Sequence, residues 1–169
     1  MRRLSFILLL ALLALPAAAL AARADKGDGV FELKGANGVF ILTGRGVVLG
    51  QMDKGTVRVQ DISPNDGQQP LVSAEHSKPT DDPTATLYWG NDTHFKVTGG
   101  KYKLRFKGSG IDLTAIGVGS ADVTGNALSL DTGTWSLDGG KWSSVPYVDR
   151  VIPYGIQPTT TPTTTTPGP

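Results

Sequence analysis

Residues 101–123, KYKLRFKGSGIDLTAIGVGSADV, contain the two patterns on which the fold prediction depends. In the first seven residues, Tyr102, Leu104 and Phe106 alternate with basic side chains. A period of two places the apolar side chains on one face of a strand and the polar ones on the other. The segment therefore predicts a strand with one buried face and a row of four cations, Lys101, Lys103, Arg105 and Lys107, on the opposite face.

The second pattern is a pair of Gly-x-Gly motifs nine residues apart. Calcium-binding β-rolls repeat G-G-x-G-x-D-x-U-x, which Gly108, Gly110 and Asp112 fit, but Ala121 replaces the aspartate of the next repeat. Adjacent turns of a calcium roll share each ion, so two imperfect repeats do not complete a site and argue against a calcium roll. A phosphate-binding loop would open a helix, whereas residues 111–116 continue as a strand-like run. The glycines are therefore interpreted as bends and bulges of a sheet.

Short strand-like runs recur through the rest of the chain, and no dozen residues show helical periodicity free of glycine or proline. About ten short strands joined by glycine-rich turns predict an all-β, single-domain antiparallel β-sandwich or barrel. Besides residues 101–107, the predicted strands lie near 30–34, 39–42, 47–49, 56–60, 84–89, 94–98, 111–116, 127–130, 133–137 and 141–145. The longest irregular stretch is Asp61 to Pro83, with a short strand or helical turn allowed near Leu71.

The two ends of the chain differ in composition from the middle. Basic residues, an apolar run to Leu15 and small residues before Asp25 predict a secretory signal peptide over 1–24, and hence a secreted, extracytoplasmic protein. A retained anchor is the alternative, but its apolar run is short of the roughly 20 residues that a spanning helix needs, and no later segment looks membrane-spanning. Residues 157–169, QPTTTPTTTTPGP, predict a disordered Thr/Pro-rich tail, either unmodified or O-glycosylated.

The remaining residues, 25–156, are enough for one domain with a core of its own. The segments GANGVFILTGRGVVLG, 35–50, and GSGIDLTAIGVGSADVTG, 108–125, place glycine pairs similarly. An internal duplication is one explanation of this similarity. The chance likeness of glycine-rich strands is the other.

Charge and cysteine content exclude several functional classes. The chain has 16 basic and 15 acidic residues; removal of Arg2, Arg3 and Arg23 with the leader gives 13 − 15 = −2. A chain with this balance lacks the electrostatic footprint of a nucleic-acid-binding protein. Without cysteine there is no disulfide, lipoprotein anchor or thiol nucleophile. The sequence also lacks G-x-S-x-G, S-x-x-K and H-E-x-x-H motifs, so we assign no catalytic residue, metal ligand or cofactor.

Two enzymatic or metal-binding alternatives stay open at this point. His76 lies near Glu75, Asp81 and Asp82 in the long irregular stretch, where it is either a solvated histidine or part of a metal or acid–base site. Glycosidase carboxylates come from distant strands, so an envelope polysaccharide hydrolase using an Asp/Glu pair remains possible.

Tryptophans and the cationic row are the candidate binding residues. Trp135 and Trp142 flank SLDGGK, a typical hairpin turn, and Trp89 ends another predicted strand. Exposed tryptophans would form a platform for sugar rings, whereas buried ones belong to the core. The cationic row is either a solvated face, a partner for acidic side chains on the next strand, or a contact for acidic wall polymers or anionic lipid.

The leader and the segment YKLRFKGSGIDLTAIGVGSADVTG resemble the small secreted glycine-rich β proteins of unknown function found in high-GC Gram-positive bacteria. The resemblance implies export and a β fold, and it carries over no catalytic residue. We therefore predict a secreted or cell-envelope module with a non-enzymatic binding or structural role, whose partner is a cell-wall polysaccharide or an envelope protein. The alternatives are the polysaccharide hydrolase and a calcium-stabilised structural module.

Overall fold

The computed structural model describes residues 27–156, in which all regular structure is β-strand. The predicted leader, 1–24, and the predicted tail, 157–169, lie outside the described residues. Two strands are far longer than the other six. The strands are β1 Gly29–Asp61, β2 Leu71–Ser73, β3 His76–Pro79, β4 Ala85–Val97, β5 Lys101–Gly125, β6 Thr134–Leu137, β7 Ser143–Ser144 and β8 Arg150–Tyr154.

All eight strands belong to one antiparallel sheet. Its order is β2-β4-β1-β5-β8, with β3 also pairing β4, and with β6 pairing both β1 and β7. The all-β antiparallel prediction is thus confirmed. The finer prediction of a sandwich or a closed barrel is not, because the sheet is a single one and is open at its outer strands. No helix within residues 27–156 has the length and apolar character needed to cross a bilayer.

The two long strands form a ribbon that winds back on itself. Residues 38–45 of β1 pair with residues 101–108 of β5 along one edge and with residues 118–125 along the other. Residues 46–61 of β1 then pair with residues 102–117 of β5 on one side and with β4 on the other. The inner faces of this coiled ribbon surround the core.

Glycines let the long strands bend without ending. Gly46 pairs with Gly117 across the ribbon and Gly55 pairs with Gly108, and three of these four glycines have a positive φ, between +127° and +149°. A Cβ on Gly46 would collide with the Ile116 carbonyl oxygen. The prediction of about ten short strands is therefore wrong for a physical reason, since these glycines, read as breaks between strands, are bends within β1 and β5.

Two smaller predictions about strands also need correction. Residues 127–130 form no strand, because the Asn126 side chain accepts a hydrogen bond from the Leu128 N–H and its carbonyl accepts one from Ser129 N, which makes a turn. The strand predicted over 141–145 shortens to the two residues of β7. The irregular stretch after Asp61 holds β2 and β3, and the short strand allowed near Leu71 is confirmed.

The core sits inside the coil and follows the alternation read from the sequence. Tyr102, Leu104 and Phe106 are all buried, and the intervening cations are exposed. Phe106 packs against Phe95 with ring centroids 4.8 Å apart. The largest buried side chains are Tyr102, Phe31, Phe40, Phe106 and Leu42. Their burial supplies the dominant favourable term in folding.

One polar contact crosses this core. The hydroxyl oxygens of Tyr102 and Tyr154 lie 2.9 Å apart in a hydrogen bond, and both side chains are almost fully buried. Burial raises the pKa of both phenols because the phenolate loses its hydration. The folded protein therefore holds these groups protonated at a pH where the unfolded chain ionises, above about 10.

We expect Tyr102→Phe to lower the free energy of unfolding by about 1 kcal/mol at neutral pH, because it removes a buried hydrogen bond. Stability of the wild type falls as pH rises through about 10, since only the unfolded state then loses protons, and this fall will be shallower in the variant. Urea titrations at several pH values measure both effects. Tyr147→Phe is the control, because Tyr147 is exposed; an equally large change there would contradict the explanation.

Candidate binding surface

The four predicted cations project from the outer face of β5. Lys101, Lys103, Arg105 and Lys107 are all exposed, because their neighbours in the strand face the core. The β1 segments on either side add two further cations, since Arg45 is the pairing partner of Lys101 and Arg58 that of Arg105. Paired residues of antiparallel strands share a face. We call this set the basic face: Arg45, Arg58, Lys101, Lys103, Arg105 and Lys107.

The basic face has few negative charges to balance it. The other partners of the four β5 cations on the flanking β1 segments are uncharged: Val39, Ile41, Thr43, Thr56 and Gln60. Within residues 27–156 the only Lys or Arg ion pair joins Arg58 to Asp82, at 3.0 Å. Hydrogen bonds from Thr84, and then Arg58, hold the pKa of Asp82 below its usual range. Among the described residues, the row is therefore not paired with acidic side chains on the next strand.

The tryptophans do not share a surface. Trp89 is half-buried on the outer face of β4, where its ring lies 5.4 Å from that of His76. Trp135 of β6 pairs with the buried Leu33 and packs against the core, with the Arg150 guanidinium 5.3 Å from its ring. Trp142 is the most exposed of the three, at 42%. The described residues therefore bring the cations together but form no ring-to-ring tryptophan platform.

The histidines and the acids near them have separate partners. Glu75 binds the backbone and side-chain nitrogens of Asn91, and this hydrogen bonding keeps the pKa of Glu75 low. Asp82 is held by Arg58 and Thr84, while His94 lies 3.1 Å from Asp92. In the part of the chain that the structure describes, no three His, Asp or Glu side chains gather closely enough to hold a metal ion.

Aspartates at turns mostly cap backbone amides. Asp112, the residue that fits the calcium-roll motif, accepts a hydrogen bond from Gly35 N–H at 2.6 Å. Asp131 accepts one from Gly133 N–H, and Asp138 one from Val30 N–H. Asp112 and Asp138 thus hold distant segments in place, whereas Asp131 caps a local turn. Asp122 differs, because its Oδ1 atom is buried with no hydrogen-bond partner among the described residues.

Three surface grooves of the described region bear on the polysaccharide hydrolase alternative. Their volumes are about 530, 820 and 220 Å³. The first contains one carboxylate, Asp28, the third contains Asp61, and the second contains none. A glycosidase needs two carboxylates facing one sugar. None of these three grooves supplies such a pair.

Sequence reasoning missed Arg45 as a surface neighbour of the cationic row, and it missed Lys54, whose partner Ser109 lies two residues beyond Lys107 on β5. Arg58 was at least placed on the polar face of a predicted strand, through the alternation of TVRVQ. What joins these cations to the row is the register between β1 and β5. No local pattern reports a register between segments about 50 residues apart.

Comparisons of the chain with protein-family models, with curated proteins and with solved structures find no match. Function is therefore inferred from the chemistry of the surface itself.

Proposed function

We propose that the protein is an exported, non-enzymatic module of the cell envelope whose basic face binds an anionic wall polymer. The leader-like composition of residues 1–24 supports export. The observation that carries the proposal is a row of exposed cations with no acid beside it on either flanking strand segment.

The spacing of the row suits an extended, repeatedly charged chain. Alternate residues of a strand lie about 6.6 Å apart, so Lys101 to Lys107 spans about 20 Å. Charges arranged in a line attract a linear polyanion at several points together, and the weak single contacts add up. A compact anion would contact only one or two members of such a row.

The shape of the sheet is consistent with this role. The pairing of residues 38–45 with β5 on both edges supports a partly rolled barrel over a sandwich of two sheets. Three neighbouring strand segments then contribute to one convex outer surface that is open to a polymer along the whole row.

We expect the purified protein to bind poly(glycerol phosphate) and polygalacturonate, but not neutral dextran of similar length, in isothermal titration calorimetry. Affinity will fall as salt rises, because exposed charges are screened. The double variant Lys103→Glu, Arg105→Glu is expected to weaken binding at least about tenfold, since each cation near an anionic surface is worth about 1 kcal/mol.

The matched control reverses two exposed lysines away from the basic face, Lys34→Glu and Lys96→Glu. This control changes the net charge equally, so it will weaken binding only slightly if position matters. Equal losses in the two double variants, or binding to dextran as strong as to the polyanions, would count against the proposed function.

A further inference from the structure

The largest of the three grooves lies at the end of the cationic row. Its volume is about 820 Å³, within the range of small-ligand sites. Lys107, the last member of the row, lines one side, and Lys54 from the neighbouring β1 segment lines it as well. The cross-strand partner of Lys107 is Thr56 and that of Lys54 is Ser109, and both hydroxyl residues also line the groove.

Lys54 and Lys107 are the only charged residues that line the groove. None of its lining residues is acidic. Lys54 has no carboxylate within 4.0 Å among the described residues. The low pKa of Glu75 is due chiefly to its hydrogen bonds with Asn91 and only weakly to the charge of Lys54, and that carboxylate does not line the groove. Two lysines therefore line this space, and neither forms an ion pair with a described carboxylate.

Glycines form much of the groove's surface and Asn37 stabilises one wall. Gly38, Gly55, Gly108 and Gly125 contribute backbone only, and a Cβ at any of these four would collide with a neighbouring atom. Asn37 accepts a hydrogen bond from Gly110 N–H and donates to the Asp131 carbonyl, so it links β1, β5 and the loop after β5. These glycines let the neighbouring segments approach closely, so the groove is a built feature of the glycine-bent ribbon.

We propose that this groove binds a phosphodiester group of a polyol or sugar phosphate chain that continues along the basic face. The proposal deepens the proposed function and rests on it. The two lysines neutralise the phosphate charge, and the hydroxyls of Thr56 and Ser109 donate to its remaining oxygens. The chain leaves the groove beside Lys107 and follows the row toward Lys101.

The composition of the groove favours phosphate over carboxylate. Arginine matches a planar carboxylate with two parallel hydrogen bonds, and no arginine lines the groove. Lysine acts as a point charge whose three N–H groups donate to oxygens in several directions, which suits a tetrahedral phosphate. The exposed Leu128, at 95%, lines the same groove and offers apolar contact to the carbon skeleton between phosphates.

The test compares two neutralising variants that each remove one charge. Lys54→Gln changes the groove alone, whereas Lys103→Gln changes the middle of the row alone. Calorimetry measures the affinity of each variant for poly(glycerol phosphate) and for polygalacturonate. We expect Lys54→Gln to lose about tenfold affinity for the phosphate polymer and almost none for polygalacturonate. Lys103→Gln is expected to lose less than tenfold affinity, and to lose the same factor with both polymers. An unchanged melting temperature verifies the fold of each variant.

A second measurement locates the ligand and separates sources of phosphate. In ¹H–¹⁵N spectra, poly(glycerol phosphate) is expected to shift the amides of Gly38, Gly55 and Gly108 at concentrations where inorganic phosphate or vesicles of phosphatidylglycerol do not. Equal losses for both polymers in Lys54→Gln would overturn the groove assignment while leaving the basic face intact. Stronger binding of the vesicles than of poly(glycerol phosphate) would contradict the proposal that a polymer occupies the groove. Failure of the wild type to bind either polymer would remove the proposed function together with this inference.

Discussion

Replacement of Gly117 by alanine is expected to destabilise the protein by at least about 3 kcal/mol, enough to unfold a marginally stable domain. Gly117 has a φ of +146°, and an added Cβ would collide with the carbonyl oxygen of Arg45 on the paired strand. The atom it meets is backbone in the middle of a ladder, so no side chain can rotate away. Relief requires the two strands to separate where the ribbon coils.

The control for Gly117→Ala is Gly67→Ala. Gly67 also has a positive φ, +75°, but a Cβ there meets nothing within 4 Å. This control therefore carries the backbone strain alone, about 1–2 kcal/mol. Urea unfolding monitored by circular dichroism gives both free energies. A Gly117→Ala variant as stable as Gly67→Ala would show that the close approach of β1 and β5 is not required, and the coiled ribbon would be the wrong description.

The glycine bends also show which features of the fold a local sequence pattern predicts and which it does not. Alternation in KYKLRFK correctly assigns each of seven side chains to the core or to the surface, because the strand period is a local property. The number and length of the strands depend instead on whether a glycine ends a ladder or bends it. That choice is made by the partner strand, as at the Gly46 and Gly117 pair, and one chain segment alone does not specify it.

The same distinction applies to the candidate site. The cationic row was predictable because it lies within one strand. The groove was not, because Lys54 and Lys107 are more than 50 residues apart and meet only through the β1–β5 register. Leu128 was expected in a strand, but a turn at Asn126 leaves it exposed beside the groove. Side-chain capping of a turn thus overrode the local alternation.

Truncation of Phe106 to alanine is expected to cost about 3–5 kcal/mol, whereas truncation of its neighbour Arg105 will change stability by less than about 0.5 kcal/mol. Phe106 is fully buried and packs on Phe95, so its removal leaves a cavity that the ladders on both sides prevent from collapsing. Arg105 points to solvent from the adjacent position and forms no ion pair with a described carboxylate.

The two truncations are therefore expected to separate folding from binding. Arg105→Ala will keep the urea midpoint and lose affinity for polyanions, because only the outer face is altered. Phe106→Leu is expected to recover a large part of the stability that Phe106→Ala loses, and to bind polyanions as the wild type does, because it restores apolar volume in the core without touching the basic face. If Arg105→Ala destabilised the protein as much as Phe106→Ala, the two side chains would not lie on opposite faces of β5. If Phe106→Leu weakened binding as much as Arg105→Ala, the inner face would take part in recognition, and a surface contact confined to exposed cations would no longer account for it.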